Sequence, residues 1–376
     1  MSEYQYYEFL AIDRPLDKAA QETMRGLSSR AQVTAVSFTN TYNYGDFRGN
    51  PGALMEQWFD LHLYLANWGS RRLMMRLPER LIDRRIVDAC QCDPDRATLR
   101  AVGEHLILDI QRGELDTDRD EGPGWLTALA PLRADLLSGD YRLFYLAWLM
   151  EVEFETIRPE APEPLPGIGP LNGPLESFAS FFCLDPDLVQ AAAERDSVPG
   201  RAALAPDAAH QVIASLTDKE KIAFLSRLFE GDPHAAAELR ATVSRLLNAG
   251  RETSKAVPRT AGELRARAAE LRVEREQQTA RQAARQRDQE VLDAARQRQE
   301  RLVAIARRGE GVWRDVEAEI ERSNVASYDR AMGLLLDLRA VAGERDTLPE
   351  FTRRIGEIRE RHARKARFLQ RIVELV

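Results

Sequence analysis

A chain of 376 residues exceeds what a single ordinary hydrophobic core organises, so two or three domains are expected. Hydrophobic residues make up 44% and charged residues 30%, which excludes disorder throughout, and no uncharged stretch approaches the roughly 20 residues that span a bilayer. The net charge of −7 is uneven: residues 1–250 carry 25 basic and 38 acidic side chains, 251–308 carry 15 and 9, and 309–376 carry 13 of each.

Met1 to Phe9 lack the basic start and apolar run of a secretory signal, so a cytoplasmic protein with no membrane partner is expected. Cys90, Cys92 and Cys183 cannot all pair, which fits reduced thiols.

In chain order, Tyr4 to Ile12 (YQYYEFLAI) reads as a strand, Leu16 to Leu27 as a helix and Gln32 to Phe38 as a second strand. Thr41 to Gly52 is dense in turn formers, and Pro51 suits the first turn of a helix to about Asp60. Leu61 to Ala66 and Arg71 to Leu77 then form a hairpin across Asn67-Trp68-Gly69-Ser70. A strand at Ala101 to Ile110 and helices at Trp125 to Leu137 and Tyr141 to Phe154 complete an α/β or α+β head over residues 1–157.

Within this head, His62 and Tyr64 share a strand face opposite Leu61, Leu63 and Leu65, with Asp60, Trp68, Arg71 and Arg72 close in sequence. An imidazole beside a carboxylate and two guanidinium groups suits acid–base work on an anion, which makes His62, Arg71 and Arg72 the catalytic candidates. A histidine on the solvated or helix-covered side of a hairpin explains the same pattern more simply, because no nucleophile elbow or phosphate-cradling glycine loop accompanies it. Cys90 and Cys92 lack the second ligand pair of a zinc site, with only His105 near in sequence, so neither a metal nor a cofactor is expected.

Arg158 to Pro174 packs six prolines and three glycines into seventeen residues and reads as a linker. A helical module over 175–250 follows. Its strongest part is a hairpin: Thr217 and Glu220 make a capping box before the stripe Ile222, Leu225, Leu228 and Phe229, Gly231 ends that helix, and Pro233 opens another to about Leu247. His210 and His234, near helix ends, are expected in solvent.

Residues 259–308 are rich in Ala, Arg, Gln and Glu, with no proline after Thr260, and predict one helix of roughly 70 Å. Its middle, Arg272 to Glu290, holds no large apolar residue except Val273, so a continuous coiled-coil seam is absent. Residues 309–376 predict an antiparallel helical bundle: Val312 to Arg322, Ala326 to Ala342 and Pro349 to Val373 each carry an apolar stripe. The chain is thus expected to be mainly α with a mixed head.

The segments YQYYEFLAIDRPL, TYNYGDFRGNP, LANWGSRRLMMRLP and SYDRAMGLLLDLRAVA with RERHARKARFLQRI resemble an uncharacterised bacterial protein family. The tail also resembles a helical segment of some bacterial SWIM zinc-finger proteins, without the finger's cysteines and histidines. The resemblance implies a helical module and assigns no activity and no catalytic residue.

The leading functional expectation is a scaffold or interaction protein acting through the long helix and bundle, with Arg272, Arg275, Arg281 and Arg285 contacting another protein or a second copy of the chain. The alternatives are a nucleic-acid-associated protein using the arginine-rich helices and an enzyme with its site in the head.

Overall fold

The computed structural model describes residues 3–90, 93, 95–115, 121–195, 206–249 and 257–372. The chain divides into two compact units, Met1–Arg275 and Glu276–Val376. It is mainly helical, with a mixed N-terminal head as the sequence predicts.

The head contains β1 (Gln5–Leu10), α1 (Lys18–Leu27), β2 (Gln32–Val33), β3 (Ser37–Tyr42), α2 (Pro51–Gln57), β4 (Leu61–Ala66), β5 (Arg71–Pro78), α3 (Arg84–Ala89), β6 (Ala97–Val102) and β7 (His105–Arg112). The seven strands form one sheet in the order β2-β3-β1-β4-β5-β7-β6, and every pairing is antiparallel, so the head is α+β. Two strand assignments shift for local reasons. The predicted strand at Ala101 to Ile110 is a hairpin of β6 and β7, turned at Gly103, whose φ of 59° glycine adopts without strain. The predicted strand at Gln32 to Phe38 is interrupted after Val33, where the Thr34 hydroxyl closes a local turn with Ser37 and Val36, so β3 runs on into the turn-rich segment instead.

Both faces of the sheet are covered. Phe9, Phe38, Met74 and Ile107 pack with Ala20 and Met24 of α1 and Leu54 and Met55 of α2. The opposite face carries Leu61, Leu63, Leu65, Leu73, Met75, Leu106, Leu108 and Ile110. Helices α4 (Trp125–Leu129), α5 (Pro131–Leu137), α6 (Arg142–Glu153), α7 (Gly173–Phe181) and α8 (Pro186–Ala193) lie over it. The single helix predicted for Trp125 to Leu137 divides at Pro131, which has no N–H for the helical ladder and so opens a new helix.

Three further helices follow: α9 (Pro206–Ser215), α10 (Asp218–Phe229) and α11 (Ala235–Ala249). The predicted Thr217 capping box is formed, and α10 and α11 make the expected hairpin. The hairpin docks through α11 on α5. The long helix is α12 (Ala261–Arg308), and its first turns place Leu264, Ala268 and Leu271 in the core beneath the sheet.

The proline-rich segment is therefore no boundary between domains. Residues 158–174 lie inside the first unit. Ile168 is fully buried, and the backbone of 159–163 pairs with the start of α12: Glu163 N donates to Arg259 O at 2.8 Å, Ala261 N to Ala161 O at 2.9 Å and Gly262 N to Pro159 O at 2.8 Å. Prolines prevent a regular element there, but the carbonyls of Pro159 and Ala161 still accept from the first residues of α12, and the Glu163 N–H donates to the Arg259 carbonyl just before it. An apolar sheet face needs a cover, and the helices on either side of the proline-rich stretch together form it. The head, the supposed linker, the helical module and the beginning of α12 are thus one body.

The second unit comprises the rest of α12 with α13 (Glu310–Glu321), α14 (Val325–Glu344), α15 (Leu348–Arg361) and α16 (Ala366–Ile372) around a core of Val312, Val316, Ile320, Leu335, Ile355, Ile358 and Phe368. The helix predicted for Pro349 to Val373 ends at Arg361 and resumes at Ala366, which lets Phe368 turn into this core beside Tyr328.

A buried charged cluster as candidate functional site

The strand register separates the three catalytic candidates. His62 lies opposite Met74 and Tyr64 opposite Arg72, so His62 and Arg72 share one sheet face while Arg71, one residue along, points to the other. His62 is fully buried, stacked on Phe9 with ring centroids 3.9 Å apart, its Nδ1 3.0 Å from the carbonyl of Glu8. Arg72 is held by Asp109 through contacts of 2.8 and 2.5 Å. Arg71 is buried on the helical side with its guanidinium 5.1 Å from the ring centroid of Phe181. Trp68 sits in the β4–β5 turn, about half exposed. The three candidates form no common site, because a strand turns alternate residues to opposite faces.

Burial pushes the His62 imidazole down to about 3, against the raising effect of the Glu8 carbonyl, and the charge of Arg72 adds to the lowering. The neutral ring is a core residue, not a base in contact with substrate. It also sets a pH dependence. Below the ordinary histidine value of 6.5 the unfolded chain takes up a proton that folded His62 refuses until about pH 3. Stability is therefore fully present above pH 6.5 and falls through this window by about 1.4 kcal/mol per pH unit, or about 2 kcal/mol on reaching pH 5. Urea unfolding from pH 7 to 5 measures the slope, which His62→Leu should flatten; an equal slope in the variant would show that the folded ring titrates normally.

No group of three or more His, Cys, Asp or Glu among the described residues is placed to hold a metal ion. Cys90 is buried with its Sγ 3.3 Å from the Ile86 carbonyl, and Cys92 lies outside the described residues.

The structure assembles a different constellation. Asp13 follows β1, Asp60 precedes β4, Arg76 lies near the end of β5, Arg133 lies in α5 and His234 precedes α11. Antiparallel pairing of β1 with β4, and of β4 with β5, puts the first three at one end of the sheet, where α5 and α11 reach them. Asp60 is completely buried. Its Oδ2 accepts from the backbone N–H groups of Ile12 and Asp13 at 2.6 and 2.9 Å, and its Oδ1 accepts from Arg76 at 2.8 and 3.1 Å. Arg133 forks onto both oxygens of Asp13 at 2.9 and 2.6 Å and donates through Nε to the Arg76 carbonyl at 2.8 Å. His234 Nε2 stands 3.2 Å from Asp13 Oδ2, so the histidine expected in solvent is buried in this cluster.

Burial would raise the Asp13 carboxyl, but the hydrogen bonds from His234 and Arg133 outweigh it and hold the group well below the usual carboxylate range. Nearby His105 is lowered by its own burial and by the charge of Arg76. The donors fixed on both carboxylates fasten five segments of the chain together. Its members are far apart in sequence, and the available signal was weak: lone arginines inside the apolar runs RRLMMRLP and LAPLRADLL.

The four arginines proposed to contact a partner divide into two pairs. Arg272 bonds Asp185 and lies 3.4 Å from Asp187, and Arg275 forks onto Asp187 at 2.9 and 2.8 Å. Those two therefore fasten α12 to the N-terminus of α8 within the first unit. Arg281 and Arg285 are exposed, and among the described residues no ion pair or hydrogen bond engages either side chain. In the second unit, three arginines of the last two helices meet acids: Arg354 lies 2.5 Å from Glu310, Arg371 lies 2.6 Å from Asp329 and Arg361 bonds Glu317. A groove lined by Arg301, Asp315, Glu319, Arg322, Asp329 and Arg330 is likewise internally neutralised, Arg322 and Arg330 both pairing with Glu319 at 2.6 and 3.0 Å.

Comparison with known proteins finds no matching family model, no matching curated protein and no matching solved structure.

Proposed function

We propose that this chain is a protein-interaction or scaffold protein that presents the solvated stretch of α12 to another protein. The observation that supports this reading is that every residue from 272 to 301 of α12 is exposed. Most helices in proteins are stabilised by packing one face. This stretch keeps its conformation through residues of high helix propensity and local pairs four apart, Gln286 with Glu290, Gln289 with Asp293 and Arg296 with Glu300. A surface shaped without regard to its own core is suited to a partner's contacts. Arg281 and Arg285, one helical turn apart and unengaged among the described residues, are the side chains best placed to make them.

Nucleic-acid binding is the second reading, favoured only by the arginine content. Asp288, Glu290, Asp293 and Glu300 interleave with the arginines of this stretch, which weakens any continuous match to a phosphate backbone.

Replacing Arg281 and Arg285 with glutamine, and leaving Arg272 and Arg275 in place, tests the proposal without disturbing the first unit. Quantitative copurification from cells should show a partner reduced by about tenfold, the size of a loss near 1.4 kcal/mol in binding, with unfolding unchanged. An identical set of retained proteins would leave α12 as a strut. Retention abolished by nuclease would instead favour the second reading.

A further inference from the structure

Asn40 is a polar residue that the core does not use. It lies in β3 with 3% of its surface exposed, and neither its Nδ2 nor its Oδ1 has a hydrogen-bond partner among the described residues. A buried amide loses its bonds to water, and a native core nearly always replaces them. Here the surroundings are aromatic. The register sets Asn40 opposite Tyr7, and Phe38 and Tyr42 stand two residues away on the same face of β3. The Tyr42 hydroxyl is likewise buried without a partner among the described residues.

Phe47, from the segment between β3 and α2, covers this group. Its ring centroid is 4.8 Å from that of Tyr7, 5.9 Å from Phe38, 6.1 Å from Phe9 and 6.4 Å from Tyr42. All four are neighbours of Asn40 on this sheet face, which puts the Phe47 ring above the amide. A ring face is a weaker partner for an amide than an oxygen is. Phe47 is itself partly exposed and flanked by exposed Asp46 and Arg48, so the roof is one side chain thick with solvent beyond it. Gly45 has a φ of 80°, and a β-carbon at Gly49 would come within 2.6 Å of the Phe47 ring, so two glycines let the segment pass closely around it. The groups beneath the roof are uncharged, and Arg72, on the same sheet face, is engaged by Asp109.

We propose that the sheet face beneath Phe47 is a binding site for a neutral planar ring with a hydrogen-bond donor and acceptor side by side, the chemistry of an adenine-type nucleobase. The ligand displaces the Phe47 ring, takes its stacking position on Tyr7 and is read by both ends of the Asn40 amide. An asparagine side chain carries a donor and an acceptor in one plane, at the spacing such an edge matches. Phe47 fills the stacking position itself until a ligand displaces it. No residue of α12 takes part, so R281Q/R285Q should bind the ligand as the wild type does, and the failure of either proposal leaves the other standing.

Isothermal titration calorimetry with adenine tests the site, with toluene as a probe that fills a ring-sized space and makes no hydrogen bonds. The wild type should bind adenine weakly, because Phe47 must first be displaced, and F47A should bind it at least about tenfold tighter. N40L should abolish adenine binding in either background, whereas toluene should bind F47A and N40L/F47A alike. The comparison of N40L with the wild type stands whether or not F47A folds. N40L should also unfold at a higher urea concentration than the wild type, because leucine brings no unpartnered polar atom into the core. Adenine binding unchanged by N40L would reduce the site to a hole left by Phe47. A wild type that binds no adenine at any soluble concentration, or an N40L variant less stable than the wild type, would equally overturn the proposal.

Discussion

Asp60→Asn should remove about 3–5 kcal/mol of folding stability, the usual cost of deleting one partner from a buried ion pair. The carboxylate is completely buried and accepts from two backbone N–H groups and from the guanidinium of Arg76, with Arg133 Nη2 3.7 Å away. Asparagine keeps the shape and an acceptor but loses the charge, leaving Arg76 and Arg133 buried with Asp13 as the remaining anion beside them. Urea unfolding at pH 7, followed by circular dichroism, measures the loss. The double variant D60N/R76M should be less destabilised than the sum of the single ones, because removing Arg76 also removes the charge that the introduced asparagine cannot satisfy. A loss below about 1 kcal/mol in Asp60→Asn would show that water reaches the cluster and that it behaves as a surface pair.

Glu163→Gln should have an effect of similar size, about 3 kcal/mol or more, and should also change where the chain is cut. Glu163 accepts from the Tyr145 hydroxyl at 2.6 Å and from the Arg259 backbone N–H at 2.9 Å, while the Arg259 guanidinium reaches it at 2.9 Å and continues to the carbonyls of Ala191 and Ala192. Burial, with the negative charge of Glu163 beside it, pushes the Tyr145 phenol well above its ordinary value, so Tyr145 remains a donor at all accessible pH. One carboxylate thus fastens α6, the proline-rich segment and the entry to α12. In the wild type a protease of broad specificity should leave 158–174 intact, since that backbone is paired and partly buried. In Glu163→Gln, cleavage there should precede unfolding of the sheet. Rapid cutting of wild-type protein within 158–174 would mean that the segment is a linker after all.

Much of the secondary structure was legible because it is set by near neighbours. Aromatic and apolar runs bounded by turn formers marked β1, β4 and β5, the Thr217–Glu220 pair marked the start of α10, and an unbroken run of helix formers marked α12. Misread boundaries came from single residues whose local effect was underweighted: Gly103 turning a hairpin, Pro131 restarting a helix, and the Thr34 and Ser37 hydroxyls closing a turn. The candidate site was not legible. His62, Arg71 and Arg72 are close in sequence, yet strand alternation sends Arg71 to the sheet face opposite His62 and Arg72.

The amino-acid sequence by itself determined most of the helical and strand segments and that the middle of α12 carries no continuous apolar seam, because propensity, capping and the period of apolar residues act within a few residues of one another. Only the tertiary structure decided that the proline-rich segment is part of the core, that Arg272 and Arg275 are engaged on α8, and that Asp13, Asp60, Arg76, Arg133 and His234 meet. It also decided that the apolar stripe of α10 faces outward. Each of these depends on which distant surfaces pack together, and a charge or a leucine reads the same in the sequence whether its partner is a remote segment of the chain or water.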